Sequence, residues 1–253
     1  MRHSLKNSMI IGTLGIFLLS ACSKSESVAP DQQRSNETAL TVNDAIALSP
    51  VPVGTVTYSS NGYTLTFTNN ATNFEDSIRQ KFVDIFFGTY PQLRTRFNTN
   101  ATKTVKFVID PNYTGVAYTS GTTITYSSAW FVNNPNDVDV VTHEIMHVIQ
   151  AYTGGTPGWL TEGIADLVRY RYGVNNGPAG WSLPNWSSSQ SYTNSYRITA
   201  RFLAWLENHK SASIVTNLNT ALRNHTYTAN TWVTLTGKTV DQLWAEYSAS
   251  PAL

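Results

Sequence analysis

Two histidines and a glutamate spaced for one helical turn are the residues of this sequence best suited to chemistry. They form the motif His143-Glu144-x-x-His147 within the apolar stretch Val138–Tyr152. Because four residues make one turn plus about 40°, both imidazoles leave the same face of a helix and can bind one small cation. Glu144 points about 100° away from His143, beside that cation. This is the arrangement of a zinc hydrolase, in which two histidines bind the metal and the carboxylate deprotonates a water molecule.

The sequence around the motif favours a buried helix over a surface helix that carries polar residues by chance. Apolar side chains cover nearly the whole circumference, as they do in helices inside a protein. Two histidines and a glutamate in that setting need partners, because a buried polar group without one is costly. A metal supplies the partner, so we expect one Zn²⁺ ion here. The apolar residues are Val138, Val140, Val141, Ile145, Met146, Val148 and Ile149.

The third protein ligand that catalytic zinc usually takes must come from elsewhere in the chain. One known continuation of the motif has a glycine and then a third histidine, but Gln150 and Thr153 stand at those positions. The next acidic residue is Glu162, 15 residues after His147. We therefore predict Glu162 as the third ligand. Asp166, one turn further on, is placed to accept the free ring N–H of a ligand histidine.

Both carboxylates belong to a second predicted helix, with Thr156 as its cap, Pro157 as its first residue and Gly173 as its end. A pair of glycines just before this helix favours a turn that folds it back on the histidine helix. The alternative is that Glu162 and Asp166 are only a solvated acidic edge, as such pairs often are.

Four segments outside the motif, in the same order, resemble the basic secretory protein family of plants and bacteria, peptidases of the gluzincin type. Val116–Ser128 is similar to the strand pair before that family's active helix, and Gly158–Val168 is similar to its third-ligand helix. Tyr196–Leu203 is similar to its G-Y-D-V-T-A-R-F-L segment, and Val240–Trp244 to its closing helix. Together these segments are spread over most of residues 100–247.

The resemblance implies a zinc peptidase with His143, His147 and Glu162 as metal ligands and Glu144 as general base. It also implies that the hydroxyl of Tyr196 donates a hydrogen bond to the tetrahedral oxyanion. The neighbours of Tyr196 depart from the family pattern, with a serine in place of glycine before it and an arginine in place of aspartate after it. The alternative for this residue is an aromatic side chain that packs at the start of a helix.

The predicted fold is α+β and zincin-like, with a small N-terminal mixed sheet and its helix, an active-site helix bearing HExxH, and a helical C-terminal half. We expect Thr122–Ser127 to be an edge strand that receives the substrate backbone by strand addition, and residues 133–137 to cap the active helix. The other predicted strands are Thr55–Ser59, Tyr63–Thr68, Thr104–Asp110 and Val116–Tyr118, and the other predicted helices are Phe74–Phe87, Tyr196–Asn208, Ala212–Arg223 and Thr239–Tyr247.

The N-terminus has the pattern of a bacterial export signal. Basic residues precede the apolar run Met9–Leu19, and Leu19-Ser-Ala-Cys22 resembles a lipobox. The run is too short to span a membrane. We predict a signal peptide over 1–21, a lipidated Cys22 that anchors the chain to a membrane surface, a flexible tether over 22–50 and a peptidase domain over 51–253. The chain is then an exported lipoprotein of the outer membrane or cell surface.

Composition limits the partners of this domain. Lysine plus arginine number 17 and aspartate plus glutamate number 16, so no excess of positive charge favours nucleic acid. Charged residues make up 13% of the chain, about half the usual share, which suits an exported protein. We expect a peptide or protein substrate, no nucleic acid and a monomer.

Two alternatives to a general zinc peptidase remain at this point. One is a binding lipoprotein on a peptidase scaffold, whose metal is structural or absent. The other is a peptidase for glycosylated proteins, in which Trp159, Trp181 and Trp186 contact sugar. Trp181 and Trp186 lie in the long predicted loop Val174–Ser191, and loops of that length are usually functional or disordered.

Overall fold

The computed structural model describes residues 50–253, which form one five-stranded sheet and a set of helices. The predicted signal peptide, Cys22 and the predicted tether up to residue 49 lie outside the described residues. The strands are β1 (Gly54–Ser60), β2 (Tyr63–Asn69), β3 (Thr104–Asp110), β4 (Ala117–Ser120) and β5 (Thr123–Ser127). The helices are α1 (Asp76–Phe97), α2 (Ser128–Asn133), α3 (Val140–Gln150), α4 (Gly158–Tyr172), α5 (Tyr196–His209), α6 (Ile214–Arg223), α7 (Asn230–Thr236) and α8 (Val240–Ala249). This architecture confirms the predicted α+β class.

The sheet is mixed, with the strand order β1-β2-β3-β5-β4. The hairpins β1–β2 and β4–β5 are antiparallel, whereas β3 pairs in parallel with both β2 and β5. The first hairpin turns at Asn61 and Gly62, whose φ angles of 51° and 78° match the left-handed turn that closes a two-residue hairpin. The second turns at Gly121, with φ 60°.

The prediction that Thr122–Ser127 forms an edge strand is wrong. Its residues form β5, which lies between β3 and β4, so its backbone is paired on both sides. The edge belongs instead to β4, which pairs only with β5 among the described residues. The error arose because alternation identifies a hairpin but does not show which of its strands also pairs in parallel with a distant third strand.

Aromatic packing between α1 and the sheet forms the core on that side of the molecule. The ring of Phe82 lies 4.9 Å from Tyr126 of β5 and 4.9 Å from Phe131 of α2. Helix α1 runs ten residues beyond the predicted end at Phe87 and contains Pro91. A buried stripe at Tyr90, Leu93 and Phe97 continues over this extension, so burial outweighs the proline.

Helix α3 is buried along its length except for partly exposed His147. The predicted cap over residues 133–137 is wrong, because α3 begins after Asp139, whose side chain does not cap the helix. The Asp139 carboxylate instead accepts hydrogen bonds from the backbone N–H groups of Val174 and Asn175, at 2.9 and 2.5 Å. Asp139 thereby attaches the start of α3 to the loop that follows α4.

Helix α4 begins at Gly158, after Pro157, and no side chain caps it, so the predicted Thr156 cap is wrong. Its predicted end at Gly173 is confirmed. The C-terminal half is helical as predicted, with α7 as an additional short helix in which Trp232 is the buried residue. Within residues 50–253, no helix is both long enough and apolar enough to cross a membrane.

Candidate metal centre

Helices α3 and α4 bring three donor atoms to one point. The Nε2 atoms of His143 and His147 lie 3.1 Å apart. Oε2 of Glu162 lies 3.2 Å from Nε2 of His143 and 3.5 Å from Nε2 of His147. The one-turn spacing on α3 and the reversal of chain direction before α4 produce this contact. Among the described residues, this is the group of histidine, cysteine and acidic side chains that could hold a metal ion.

Hydrogen bonds to the other ring nitrogens leave both Nε2 atoms free to act as ligands. Nδ1 of His143 lies 2.7 Å from Oδ1 of Asp166, which can only accept when ionised. Nδ1 of His147 lies 2.7 Å from Oε1 of Gln150, whose amide nitrogen donates to the backbone oxygen of Thr161 at 2.9 Å. Each Nδ1 therefore donates to its oxygen partner, so the nitrogen that can offer a lone pair to a metal ion is Nε2 in both rings.

These three donors fit zinc. A tetrahedral zinc ion with bonds of 2.0–2.1 Å separates its ligand atoms by about 3.3 Å, and the observed separations are 3.1, 3.2 and 3.5 Å. Two imidazole nitrogens and a carboxylate oxygen are also a ligand set that zinc enzymes use. The fit therefore holds in both distance and donor chemistry.

The charge of the site calls for a cation. Burial would lower the pKa of His143, but hydrogen bonds to Asp166 and Glu162 raise it to about 10 when no metal is bound. Burial would raise the pKa of Glu162, but hydrogen bonds from His143 and His147 hold it well below its usual range. A proton or a metal ion must thus balance the two carboxylates.

Glu144 lines the same cleft as the donor atoms. The residue is 6% exposed, and its Oε2 accepts a hydrogen bond from the hydroxyl of Thr119 on β4, at 2.7 Å. Glu144, the candidate general base, therefore lies next to His143 on α3, and a hydrogen bond from the sheet holds its carboxylate. Nothing in the sequence pattern pointed to Thr119, because its contact with α3 depends on the strand order.

Tyr196, the first residue of α5, stacks over the ring of His143. The two rings are parallel within 18°, with centroids 6.2 Å apart, and Tyr196 is 55% exposed. Ser195 and Tyr196 both have positive φ, 68° and 48°, a conformation that is costly for side chains of this size. The charge of Glu162, together with burial and Asp166, raises the pKa of Tyr196, so its hydroxyl remains a donor at neutral pH.

The site opens into a cleft of about 1310 Å³, bordered by β4, α3, α4, the loop after α4 and the start of α5. Trp181 lines this cleft and stacks against the guanidinium of Arg169, 4.5 Å from its ring centroid. Trp159 instead contacts Tyr192 and Trp232 and is not part of the cleft lining, and Trp186 also packs against the core. Trp181 is therefore the one of these three tryptophans that a substrate in the cleft could contact.

Comparison with known proteins places the chain in a family. The sequence model of a family described as BSP, peptidase of plants and bacteria, matches residues 46–247. No curated protein matches the sequence. Two crystal structures of an M1 zinc metallopeptidase from Deinococcus radiodurans, one of them a point mutant, share 10% identity with the chain at a TM-score of 0.45.

Each of these two alignments covers 82% of this chain. They cover 53% and 52% of the two metallopeptidase chains, so this chain spans about half the length of those proteins. The family match covers far more than half of this chain and agrees with the resemblance found in its motifs. By that match, the chain belongs to the BSP family, the peptidases of plants and bacteria.

Proposed function

We propose that this peptidase is a zinc metallopeptidase in which His143, His147 and Glu162 bind the metal and Glu144 is the general base. The observation that carries the proposal is the set of three ligand atoms that converge with separations of 3.1 to 3.5 Å. Membership in a peptidase family supports the same conclusion. When bound, zinc would supply Lewis-acid activation of a water molecule and of the scissile carbonyl.

The side chains of the cleft supply the proton transfers of peptide hydrolysis. Glu144 accepts a proton from the attacking water, whose oxygen bonds to the carbonyl carbon, and returns a proton to the leaving amine as the C–N bond breaks. Tyr196, which remains protonated, donates a hydrogen bond to the developing oxyanion. Asp166 and Gln150 hold the two imidazoles in the tautomer that leaves Nε2 unprotonated.

The substrate backbone has a place along β4. This strand lines the cleft with Ala117, Tyr118 and Thr119 and has one unpaired edge among the described strands. An extended peptide can pair with such an edge through main-chain hydrogen bonds. We therefore propose that β4, and not Thr122–Ser127, receives the substrate backbone by strand addition.

Zinc analysis and one substitution test the proposed function. Purified protein should bind one zinc ion per chain, and removal of the metal by a chelator should abolish peptide cleavage. Glu144→Gln should keep the zinc and lose activity by at least about 100-fold, because a general base contributes about 10²–10⁴-fold. Glu246→Gln, at a half-buried glutamate of α8 that does not line the cleft, is the matched control. Full activity of Glu144→Gln would refute the base assignment, and zinc binding without any cleavage would favour a binding lipoprotein.

We also propose that the chain is an exported lipoprotein, acylated at Cys22 and held at the outer membrane or cell surface as a monomer. The proposal rests on the sequence from Met9 to Cys22. Metabolic labelling with a palmitate analogue should label the wild type in a bacterial host and leave Cys22→Ser unlabelled. Equal labelling of the two proteins would refute it.

A further inference from the structure

A hydroxyl on the edge strand is hydrogen-bonded to the proposed general base. Oγ1 of Thr119 lies 2.7 Å from Oε2 of Glu144 and 3.1 Å from the backbone oxygen of the same residue. Among the residues that the structure describes, Thr119 is the only hydrogen-bond donor to that carboxylate. We propose that Thr119 is a positioning residue for Glu144, an inference that rests on the proposed zinc peptidase.

The geometry of the pair suits this role. A hydroxyl that donates to Oε2 fixes the rotation of the carboxyl group and leaves Oε1 free for a water molecule. A hydrogen bond to a charged acceptor is also stronger than one between neutral groups. Glu144 is 6% exposed, so little water competes for Oε2. The base is thereby held in one orientation before substrate arrives.

The sheet determines where this hydroxyl lies. Thr119 pairs with Ile124 in the β4–β5 ladder, and its β-branched side chain has few accessible rotamers. Glu144 sits on α3, whose position relative to β4 is fixed by packing. The hydrogen bond therefore joins β4 to α3, two elements whose positions are set independently. It connects the strand proposed to bind the substrate backbone to the carboxylate proposed as the general base.

A purely structural role for Thr119 would be the joining of β4 to α3, since its hydroxyl also lies near the backbone oxygen of Glu144. If that were its only role, removal of the hydroxyl would lower stability and displace β4. Because β4 is proposed to bind the substrate, KM would then rise and kcat would fall together. The positioning role predicts a selective loss of kcat, because the ground-state contacts of the substrate remain. The two roles therefore differ in measurable quantities.

The test replaces the hydroxyl with a methyl group of the same shape. Thr119→Val keeps a β-branched residue that strands favour, and Thr119→Ser keeps the hydroxyl. We expect kcat of the zinc-loaded Thr119→Val protein to fall about 10- to 100-fold, the effect of one hydrogen bond to a charged group. KM and zinc affinity by chelator competition should remain near wild type, and Thr119→Ser should recover most of kcat.

Binding of a peptide phosphonate gives a readout that does not depend on turnover. Its oxygens occupy the positions of the attacking water and the oxyanion, so we expect Thr119→Val to bind it about tenfold more weakly by calorimetry. In a Glu144→Gln background the same valine should cause no further loss, because residues that act through one group are not additive. If Thr119→Val does not fold, Thr119→Ala is measured in the same way.

The outcomes separate this inference from the proposed function. Wild-type kcat in Thr119→Val, an equal loss in Thr119→Ser, or an additive effect on phosphonate affinity in the Glu144→Gln background would each overturn the positioning role. If Glu144→Gln is inactive in the same experiments, the zinc peptidase assignment stands without Thr119. Full activity of Glu144→Gln would instead overturn the base assignment and the positioning role together.

Discussion

The imidazole of His143 on α3 and the carboxylate of Asp166 on α4 meet at 2.7 Å, and both are buried. This contact fixes the ring so that its Nε2 faces Glu162, one turn earlier on the same helix as Asp166. One face of α4 thus supplies both the proposed third ligand and the group that orients a ligand on the neighbouring helix. The geometry of the candidate metal centre then depends on the packing of α3 against α4.

Loss of the Asp166 carboxylate should weaken zinc binding. Asp166→Ala removes the acceptor for Nδ1 of His143, so we expect the dissociation constant for zinc to rise about 10- to 100-fold, the usual effect of removing such a partner. Competition with a chromophoric chelator measures it. Asp84→Ala, on the exposed face of α1, is the control. Unchanged affinity in Asp166→Ala would contradict the orienting role.

Gln150 should matter to both the metal site and stability. It is 1% exposed and connects His147 to the backbone of α4 through two hydrogen bonds. Gln150→Met keeps the length of the side chain but leaves the ring N–H of His147 without an acceptor. We expect a loss of about 1–3 kcal/mol in the unfolding free energy of the metal-free protein, and weaker zinc binding. Denaturant unfolding and chelator competition measure the two effects, and a wild-type result in both would refute the prediction.

Zinc affinity should rise with pH in the neutral range. Burial lowers the pKa of His143, but its hydrogen bonds to Asp166 and Glu162 raise it from 6.5 to about 10 in the metal-free protein. The stabilisation from that proton is fully present below pH 6.5 and is lost as the pH rises through about 10. Zinc must displace the proton, so binding at pH 7 should release about one proton from His143.

Calorimetry in two buffers that differ in ionisation enthalpy measures that proton release, and chelator competition at several pH values measures the affinity. We expect the zinc dissociation constant to fall as the pH rises from 6.5 to 8.5. A constant value over that interval would show that His143 is already neutral in the metal-free chain.

A methyl group at Gly163 should force α4 and α5 apart. A Cβ atom there would clash with Cγ2 of Thr199 and lie 2.6 Å from its Cβ, and Thr199 is fully buried. We expect Gly163→Ala to cost about 1–3 kcal/mol of stability, or about 2–4 °C in Tm for each kcal/mol. Since Glu162 precedes Gly163, zinc affinity should fall as well.

The matched control is Gly158→Ala at the start of α4, where an added Cβ meets nothing within 4 Å. Thermal unfolding with and without zinc compares the two variants. A Tm for Gly163→Ala equal to that of Gly158→Ala would show that the two helices separate without cost.

The local part of the site could be predicted from the sequence. The spacing of His143 and His147, and the turn before the helix that carries Glu162 and Asp166, involve short sequence distances and regular periodicity. Gln150 stands about one turn after His147, and this spacing could have predicted the hydrogen bond between them. A polar residue at that spacing in an otherwise apolar helix can reach the preceding histidine.

Features that depend on distant pairing could not be predicted in this way. Strand alternation did not show that β5 pairs in parallel with β3, so the edge was assigned to the wrong strand, and the contact between Thr119 and Glu144 was missed with it. Helix α7 was missed because its threonines and asparagine give no apolar stripe, with Trp232 as its buried residue. The contact of Asp139 could not be predicted because its carboxylate accepts hydrogen bonds from the backbone that follows α4.

His143 and Asp166 are 23 positions apart, and all three proposed ligands lie between them or at their ends. The ion would therefore join two consecutive helices of one hairpin, and closing a chain segment of that length costs little entropy, since the cost grows only with the logarithm of length. Thr119 and Tyr196 reach the same place from parts of the chain on either side. The candidate metal centre is therefore a local feature of one helical hairpin, whereas the cleft around it needs segments that are distant in the sequence.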